Sequence, residues 1–458
     1  MIVEKLENIV GKSHVVTDRE RMESYLFDET AEPVRPRPAT KLVLVKPANT
    51  KEVSEILKIA NENKIPVFPR GGGTGLVGGS IPTESGVILS MERMNKIEVD
   101  KENLMVVAEA GVTLEKLLSS VDGAGLFFPL HPGDETAQVG GLVATNAGGA
   151  RAVKYGVMRN YVRGMEVVLP TGEVLMLGGK LQKNNVGYDL MHLIMGSEGT
   201  LAVITKVILR LHPKFGATAT LIVPFNSRHD ALKSVPKILQ EGIIPLAVEY
   251  VEKKLMENTA KQIGETWRVE EGDCYLIIML AEYSKDLILS EAIKITDLCK
   301  KDGALEPLFI DSIREQKRIL NIRSKIYSTL KCKTSDILDV TVPPANIGRL
   351  IDAVDEIAKK CGTYLPVYGH AADGNLHVHI MKKGEGEDLE YIGKLKNEIY
   401  KVGLQLGGVI TGEHGIGKIR TESLHLCLDE KQIDLMKKIK RVFDPNNILN
   451  PGCILPRL

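Results

Sequence analysis

Residues 69–80 read Pro69-Arg-Gly-Gly-Gly-Thr-Gly-Leu-Val-Gly-Gly-Ser80. Six of these twelve residues are glycine, so the backbone itself is the surface on offer. Gly73-x-Gly75-x-x-Gly78 has the spacing of a dinucleotide fingerprint, but that fingerprint requires a helix to open on its last glycine. Gly79-Ser80-Ile81-Pro82-Thr83 breaks any such helix, which excludes a Rossmann fold. A loop of freed backbone N–H groups can still form a concave nest for a pyrophosphate. The competing reading is a glycine-rich surface turn. Nothing matches Gly-x4-Gly-Lys-Ser/Thr, which argues against a nucleoside triphosphatase.

Outward from the loop, residues 51–63 place Val53, Ile56, Leu57 and Ala60 at the spacing of an amphipathic helix. Short strands are expected at Ile65–Phe68 and Gly86–Met91. Two more glycine clusters follow, Gly140-Gly-Leu-Val-Ala-Thr-Asn-Ala-Gly-Gly149 and Gly196-Ser-Glu-Gly-Thr-Leu-Ala-Val-Ile204. Small residues let a flat ring or a diphosphate lie against the backbone, and three clusters in one region point to a single extended ligand. Short strands alternate with loops and short helices from Leu104 to Leu211, an α+β pattern. Beyond Ala217, strands at Ala219–Pro224, Leu246–Val251 and Tyr275–Ala281 alternate with helices at Asp230–Gln240, Ser284–Lys300, Ser312–Leu330 and Ala345–Lys360. The chain of 458 residues is too long for one core. It divides into residues 1–216, a second domain at 217–405, and a segment at 406–458 that is expected to return to the first.

Lys plus Arg and Asp plus Glu are equal at 59 each, so no global positive field exists to hold nucleic acid. No apolar run approaches the ~20 residues of a membrane span, and residues 1–19 lack the features of a secretory signal. The cytoplasm is the expected location. The six cysteines are scattered without a C-x-x-C pair, which argues against a disulfide framework, a zinc ribbon and an internal iron–sulfur cluster.

Three of the ten histidines fall within ten residues, in Gly369-His370-Ala-Ala-Asp-Gly-Asn-Leu-His377-Val-His379. Asp373-Gly374 signals a hairpin turn. His377 and His379 then share one face of a strand, and the turn brings His370 beside them. Such clusters are metal ligands or ordinary polar residues of an exposed hairpin. Thr411-Gly-Glu413-His414-Gly-Ile-Gly417 adds a carboxylate and an imidazole among glycines and favours the first reading. Neither H-E-x-x-H nor G-x-S-x-G occurs, which disfavours a peptidase or hydrolase.

The loop 69–80, GGLVATNAGG (140–149), KYGVMRNYV (154–162), GSEGTLAVIT (196–205) and DPNNILNPG (444–452) together resemble the FAD-binding domain of the vanillyl-alcohol oxidase/PCMH flavoproteins. The closer similarity is to the branch holding the flavin subunit of glycolate oxidase, D-lactate dehydrogenases and D-2-hydroxyglutarate dehydrogenase. The resemblance covers nearly the whole chain. It implies a PCMH-type FAD domain, an α/β cap domain with an antiparallel sheet that carries the substrate site, and a C-terminal segment completing both sites. It implies FAD contacts from Pro69, Arg70, Gly71, Gly72, Gly73, Thr74, Gly75, Leu76, Gly78 and Ser80 in the first loop. Further contacts would come from Pro132, Gly133, Thr136, Gly140, Gly141, Thr145, Asn146, Gly149, Tyr155, Gly156, Glu198, Val203 and Asn450. Family members that tether the flavin often do so through a histidine in the first loop. Thr74 and its neighbours offer none, so the FAD is expected to be noncovalent.

The same resemblance makes His370, His377 and Glu413 ligands of a divalent metal (zinc, iron or manganese) and His414 the general base. Arg323, Tyr327 and His379 would bind substrate; for Arg323 alone a surface ion pair is the competing reading. Two departures from the hydroxyglutarate branch, Ile337 for a lysine and His379 for an asparagine, weaken recognition of a second carboxylate. A short D-2-hydroxy acid is therefore expected, D-lactate ahead of glycolate. Electrons would leave the FAD for an electron-transferring flavoprotein or, in the glycolate oxidase alternative, an iron–sulfur subunit. A non-catalytic flavin-binding subunit is the reading of another class; it predicts erosion of the His/Glu set, which is intact.

Overall fold

The computed structural model describes residues 2–384 and 389–457; Met1, Leu458 and residues 385–388 of the expected ranges lie outside the described residues. The amphipathic helix forms over Thr50–Glu62. Asn49 caps it by accepting the Glu52 N–H at 3.0 Å, and Val53, Ile56, Leu57 and Ala60 are buried. The next strand starts two residues later than expected, at Val67–Arg70. Lys64 is left-handed (φ 52°) and the Ile65 N–H is spent on the Ala60 carbonyl, closing the helix. Strands Leu42–Val45, Gly86–Ser90 and Val67–Arg70 run parallel, with Val15–Val16 antiparallel at the outer edge. The chain passes from Val67–Arg70 to Gly86–Ser90 through the glycine loop without a helix.

A second sheet has the order Ile97–Asp100, Met105–Glu109, Val203–Arg210, Val162–Val168, Val174–Gly178, antiparallel throughout. Its inner face packs on the short helix Val139–Ala144, through Val106, Val139, Leu142, Val143 and Val207 among others.

The third sheet has seven antiparallel strands, in the order Leu308–Ile310, Ala217–Phe225, Cys274–Glu282, Ala247–Glu252, Val367–His370, Asn375–Met381, Thr334–Thr341. Cys274–Glu282 shows why it is covered on both sides. Leu276, Ile278 and Leu280 join one core with Leu232, Val235, Ile295, Leu350 and Ile351 from three helices. The alternate Tyr275, Ile277 and Met279 join another with Leu255, Met256, Ile319 and Ile322. The helix expected over Ser312–Leu330 is two, Ile313–Ser324 and Ile326–Leu330. Ser324 Oγ bonds back to the Asn321 carbonyl, and the Lys325 N–H forks between the Asn321 and Ile322 carbonyls. This tightened last turn ends the first helix.

The segment after residue 406 crosses between the two parts. Thr411 pairs with Asp339 of the seven-stranded sheet, and Leu449 pairs with Val67 of the first. None of the helices, over the described residues, is long and apolar enough to cross a membrane.

Candidate active site

One cavity is walled by all three glycine clusters. It takes Pro69 to Val77, Gly79 and Ser80 from the first, Gly140 to Leu142, Ala144, Thr145, Ala147 and Gly148 from the second, and Glu198, Gly199 and Ala202 to Ile204 from the third. Pro132, Asn450, Glu413 and His414 complete it. Its empty volume, open solvent included, is about 1350 Å³. The glycines are there for close approach: a Cβ on Gly72 would lie 2.6 Å from the Thr136 carbonyl oxygen. Gln138 Oε1, on the cavity wall, is buried with no hydrogen-bond partner, an acceptor left for a ligand donor. Arg70 is buried, donating from Nη2 to the Ser24 carbonyl (2.8 Å) and from Nη1 to Ser80 Oγ (3.3 Å).

Where this cavity meets the seven-stranded sheet, the hairpin and the loop 411–417 bring their polar groups together. His370 ends one hairpin strand and His377 lies on the other, with ring centroids 5.3 Å apart. Glu413 Oε1 is 3.4 Å from His370 Nε2, 3.4 Å from His377 Nε2 and 3.9 Å from His414 Nε2. The His414 ring stacks on His377 at 5.0 Å and 8° and faces the glycine-lined cavity. Donor atoms bound at about 2.1 Å to one tetrahedral ion stand about 3.4 Å apart, so the separations from Glu413 to the two imidazoles suit a shared cation.

Behind these groups stand further carboxylates. Glu249, from the neighbouring strand, accepts from His370 Nδ1 at 2.5 Å and pairs with Arg323. A carboxylate behind a histidine fixes its ring so that the other nitrogen points at a ligand. Burial works to raise Glu249, but Arg323 and His370 outweigh it and hold the carboxyl at about 2. Burial likewise works to lower His370, but Glu249 and Glu413 push its pKa well above the usual imidazole range. Glu413 is held below the usual carboxylate range against its burial, chiefly by His370. A proton on His370 or a cation at the convergence point balances the two carboxylates.

The group whose ligand atoms all lie within 4.8 Å of one another is Asp339, His377, Glu413 and His414; it takes in Asp339 and leaves out His370, which meets the cluster through Glu413. The Asp339 oxygens are already engaged, however. Oδ2 accepts Thr411 Oγ1 and the N–H groups of Gly412, Glu413 and His414, each at 2.8 Å, and Oδ1 accepts Asn375 Nδ2 at 2.7 Å. Asp339 is the anchor of the loop that carries Glu413 and His414. Next to it, Arg420 forks onto Asp336 (2.7 Å twice) and donates to the Ile337 carbonyl. Asp339, Glu249, Asp336 and Arg420 were not expected from the sequence; the local signal for the three carboxylates is acidic residues within buried strands, two in Ala247–Glu252 and two in Thr334–Thr341.

Of the residues expected to bind substrate, Arg323 is buried with its guanidinium 4.6 Å over the Tyr368 ring, and its Nε has no partner. Tyr327 donates to the Glu29 carbonyl at 2.5 Å, with its ring 6.2 Å from His379. His379 is 0% exposed, with Nδ1 bonded to Thr334 Oγ1 (2.9 Å) and Nε2 to Tyr368 Oη (3.1 Å). Both of its ring nitrogens are engaged within the protein, and it braces Tyr368. Among the expected cofactor contacts, Gly78, Gly133, Thr136, Asn146, Gly149, Tyr155 and Gly156 do not line the cavity. Gly78 donates its N–H to Thr30 Oγ1, Thr136 is tied to Asp134, and Asn146 accepts the Arg159 N–H. Gly133 lies on an exposed turn, and Gly149 packs against the His131 carbonyl. Tyr155 is edge-on to His212 at 4.9 Å and close to Phe127, with Gly156 closing its short helix; both pack in an aromatic seam away from the cavity.

Residues 42–178 match a family model described as an FAD binding domain, and residues 216–454 match that of the FAD linked oxidases, C-terminal domain. The D-lactate dehydrogenase of Archaeoglobus fulgidus is 44% identical over 436 residues, 95% of this chain and 96% of that protein. The glycolate oxidase subunit GlcD of Bacillus subtilis is 37% identical over 417 residues, 89% of this chain and 88% of that protein. Among solved structures, p-cresol methylhydroxylase with substrate bound superposes with a TM-score of 0.79 at 19% identity, covering 99% of this chain and 96% of that one, which establishes a common fold. With an FAD-binding domain in its first part and the family's C-terminal domain over more than half its length, the chain belongs to the FAD-linked oxidases.

Proposed function

We propose that this protein oxidises a short D-2-hydroxy acid, D-lactate first, at the junction of the glycine-lined cavity and the His/Glu cluster. The observation that carries this reading is the convergence of His370, His377 and Glu413 at 3.4 Å beside His414, which opens onto the cavity. The similarity to the archaeal D-lactate dehydrogenase over 95% of the chain supports it. The glycolate oxidase relative supports glycolate as the second candidate.

His370, His377 and Glu413 would hold a divalent cation of the zinc, iron(II) or manganese class, with Glu249 fixing His370. Of the cavity residues, the first glycine loop with Gly140, Gly141, Val203 and Asn450 would hold FAD without a covalent bond, while Glu198 lines the wall with its carboxylate turned to the loop 411–417. A metal held there would supply Lewis acidity to lower the pKa of the substrate hydroxyl, and a bound flavin would supply the hydride acceptor. The remaining steps fall to the protein. His414, with Nδ1 facing Asp339 Oδ2 at 4.0 Å and Nε2 facing Glu413 at 3.9 Å, takes the hydroxyl proton, since it reaches both the cluster and the cavity. Arg323, half neutralised by Glu249, presents its free Nε to the substrate carboxylate. Tyr368, hydrogen-bonded to His379, packs against the Arg323 guanidinium and helps hold it in place. Electrons then pass to an external protein acceptor, an electron-transferring flavoprotein or an iron–sulfur subunit.

The test is an anaerobic visible spectrum of the FAD-loaded protein on addition of D-lactate, L-lactate, glycolate and D-2-hydroxyglutarate in turn, before and after chelation and metal restoration. Bleaching by D-lactate that disappears on chelation and returns with metal is the expected result. A flavin reduced by dithionite but by none of the four acids would remove this assignment.

A further inference from the structure

The loop 411–417 is held from both ends by carboxylates of different parts of the fold. Asp339, on the seven-stranded sheet, gathers the N–H groups of residues 412–414. Glu198, from the third glycine cluster, takes the next two free ones: Ile416 N–H at 2.9 Å and Gly417 N–H at 2.8 Å. The Cys453 thiol also donates to it, at 3.5 Å. Glu198 is buried and left-handed (φ 50°), a conformation a non-glycine residue adopts only when its surroundings hold it there. Its carbonyl accepts from Asn450 Nδ2 at 2.9 Å, and the same amide donates to the Gly79 carbonyl of the first glycine loop. The fit is close: a Cβ on Gly415 would stand 2.7 Å from Glu198 Oε1.

Glu413 and His414 therefore sit in the middle of a strap tied at one end to the hairpin sheet and at the other to the wall of the flavin cavity. We infer that Glu198 is a positioning residue that couples the two: it sets Glu413 and His414 relative to the flavin through the Ile416 and Gly417 N–H groups, without itself binding the cofactor. The inference rests on the proposed role of Glu413 as a metal ligand and His414 as base. Displacing a reacting group by an ångström costs on the order of 100-fold in rate, so a strap released at one end lowers flavin reduction far more than flavin affinity.

The experiment compares parent, E198A and E198Q as FAD-loaded protein. The dissociation constant for FAD is read from flavin fluorescence, the limiting rate of flavin reduction by D-lactate from anaerobic rapid mixing, and the affinity for Co²⁺ from its visible spectrum with and without FAD. Expected for E198A are an FAD affinity within about threefold of the parent and a reduction rate lower by about 10–100-fold. E198Q, which keeps one acceptor oxygen, restores part of the rate. Coupling is reciprocal, so in the parent FAD changes Co²⁺ affinity and in E198A it does not. The Co²⁺ measurement needs no substrate: if no acid reduces the parent flavin, the substrate reading fails while the coupling is still decided. Loss of FAD binding in E198A by tenfold or more, about 1.4 kcal/mol, would make Glu198 a cofactor ligand and overturn the inference, as would a rate and a Co²⁺ linkage equal to the parent's. Should E198A not fold, E198Q carries the comparison, with smaller changes in the same direction.

Discussion

Replacing Asp339 by asparagine removes one charge and leaves the shape. In the parent, Oδ2 accepts four donors of the loop at 2.8 Å and Oδ1 accepts Asn375 Nδ2. An asparagine oxygen turned to the loop leaves its own NH₂ facing that of Asn375; turned the other way, it strands three buried N–H groups and a hydroxyl. Charge-assisted hydrogen bonds contribute about 1.5–3 kcal/mol and neutral ones about 0.5–1.5. Four bonds each weakened by roughly 1 kcal/mol give a loss of about 4 kcal/mol, similar to the ~3–5 kcal/mol for unpairing a buried charge. Urea denaturation of D339N and parent, followed by circular dichroism, reads this directly, and metal content reads the displacement of Glu413. The pH dependence has a definite sign. Burial works to raise Asp339, but His414, His377 and the loop N–H groups hold its carboxyl well below 3.8. A lowered native pKa contributes stability that is present above the unfolded value and lost as pH falls through the native one. The gap between parent and variant is thus full near neutrality and closes only in strong acid. A loss under about 1 kcal/mol at pH 7, with metal retained, would refute this account of the loop.

Gly72→Ala places a methyl 2.6 Å from the Thr136 carbonyl oxygen and is expected to weaken FAD binding by about tenfold or more, read by fluorescence titration; unchanged affinity would mean the loop has room to spare. Arg420→Met strands the buried Asp336 and is expected to cost about 3–5 kcal/mol, while R420M/D336L recovers much of it; equal losses in single and double variants would locate the effect in packing. Burial, with His377 and His414 adding to it, holds His379 down at about 3. A native pKa below the unfolded 6.5 means stability falls as pH drops below 6.5, so His379→Gln should flatten the pH dependence of the urea midpoint between about pH 4 and 6.5. An unaltered slope contradicts the buried neutral imidazole.

The hairpin histidines were legible because strand alternation and an Asp-Gly turn suffice to put His370 and His377 together. Alternation gives the side of a strand but not the depth along it, and His379 shows the difference: it shares the face of His377 yet lies under Tyr368. Asp339 was illegible for another reason. Its loop partners are 72–75 residues away, and the two aspartates of Thr334–Thr341 read only as polar interruptions of a strand. The glycine clusters announced a cavity, since small residues in three places need a common cause. Membership of a motif did not guarantee a place on the wall, as Tyr155 illustrates: it belongs to a quoted motif and packs instead among His212, Phe127 and Phe215.

The pairing of Val67 with Leu449 bears on the order of biosynthesis. The Val67 N–H donates to the Ile448 carbonyl and the Asn450 N–H to the Val67 carbonyl, so residues 448–450 shield the free side of Val67–Arg70, the edge strand that launches the glycine loop. A ribosome emits that strand nearly four hundred residues before its cover. Through most of translation the strand is an apolar edge open to pairing with other chains, and the nucleotide cradle lacks Asn450. A chain truncated just upstream of Ile448 would leave that edge uncovered and is expected to aggregate.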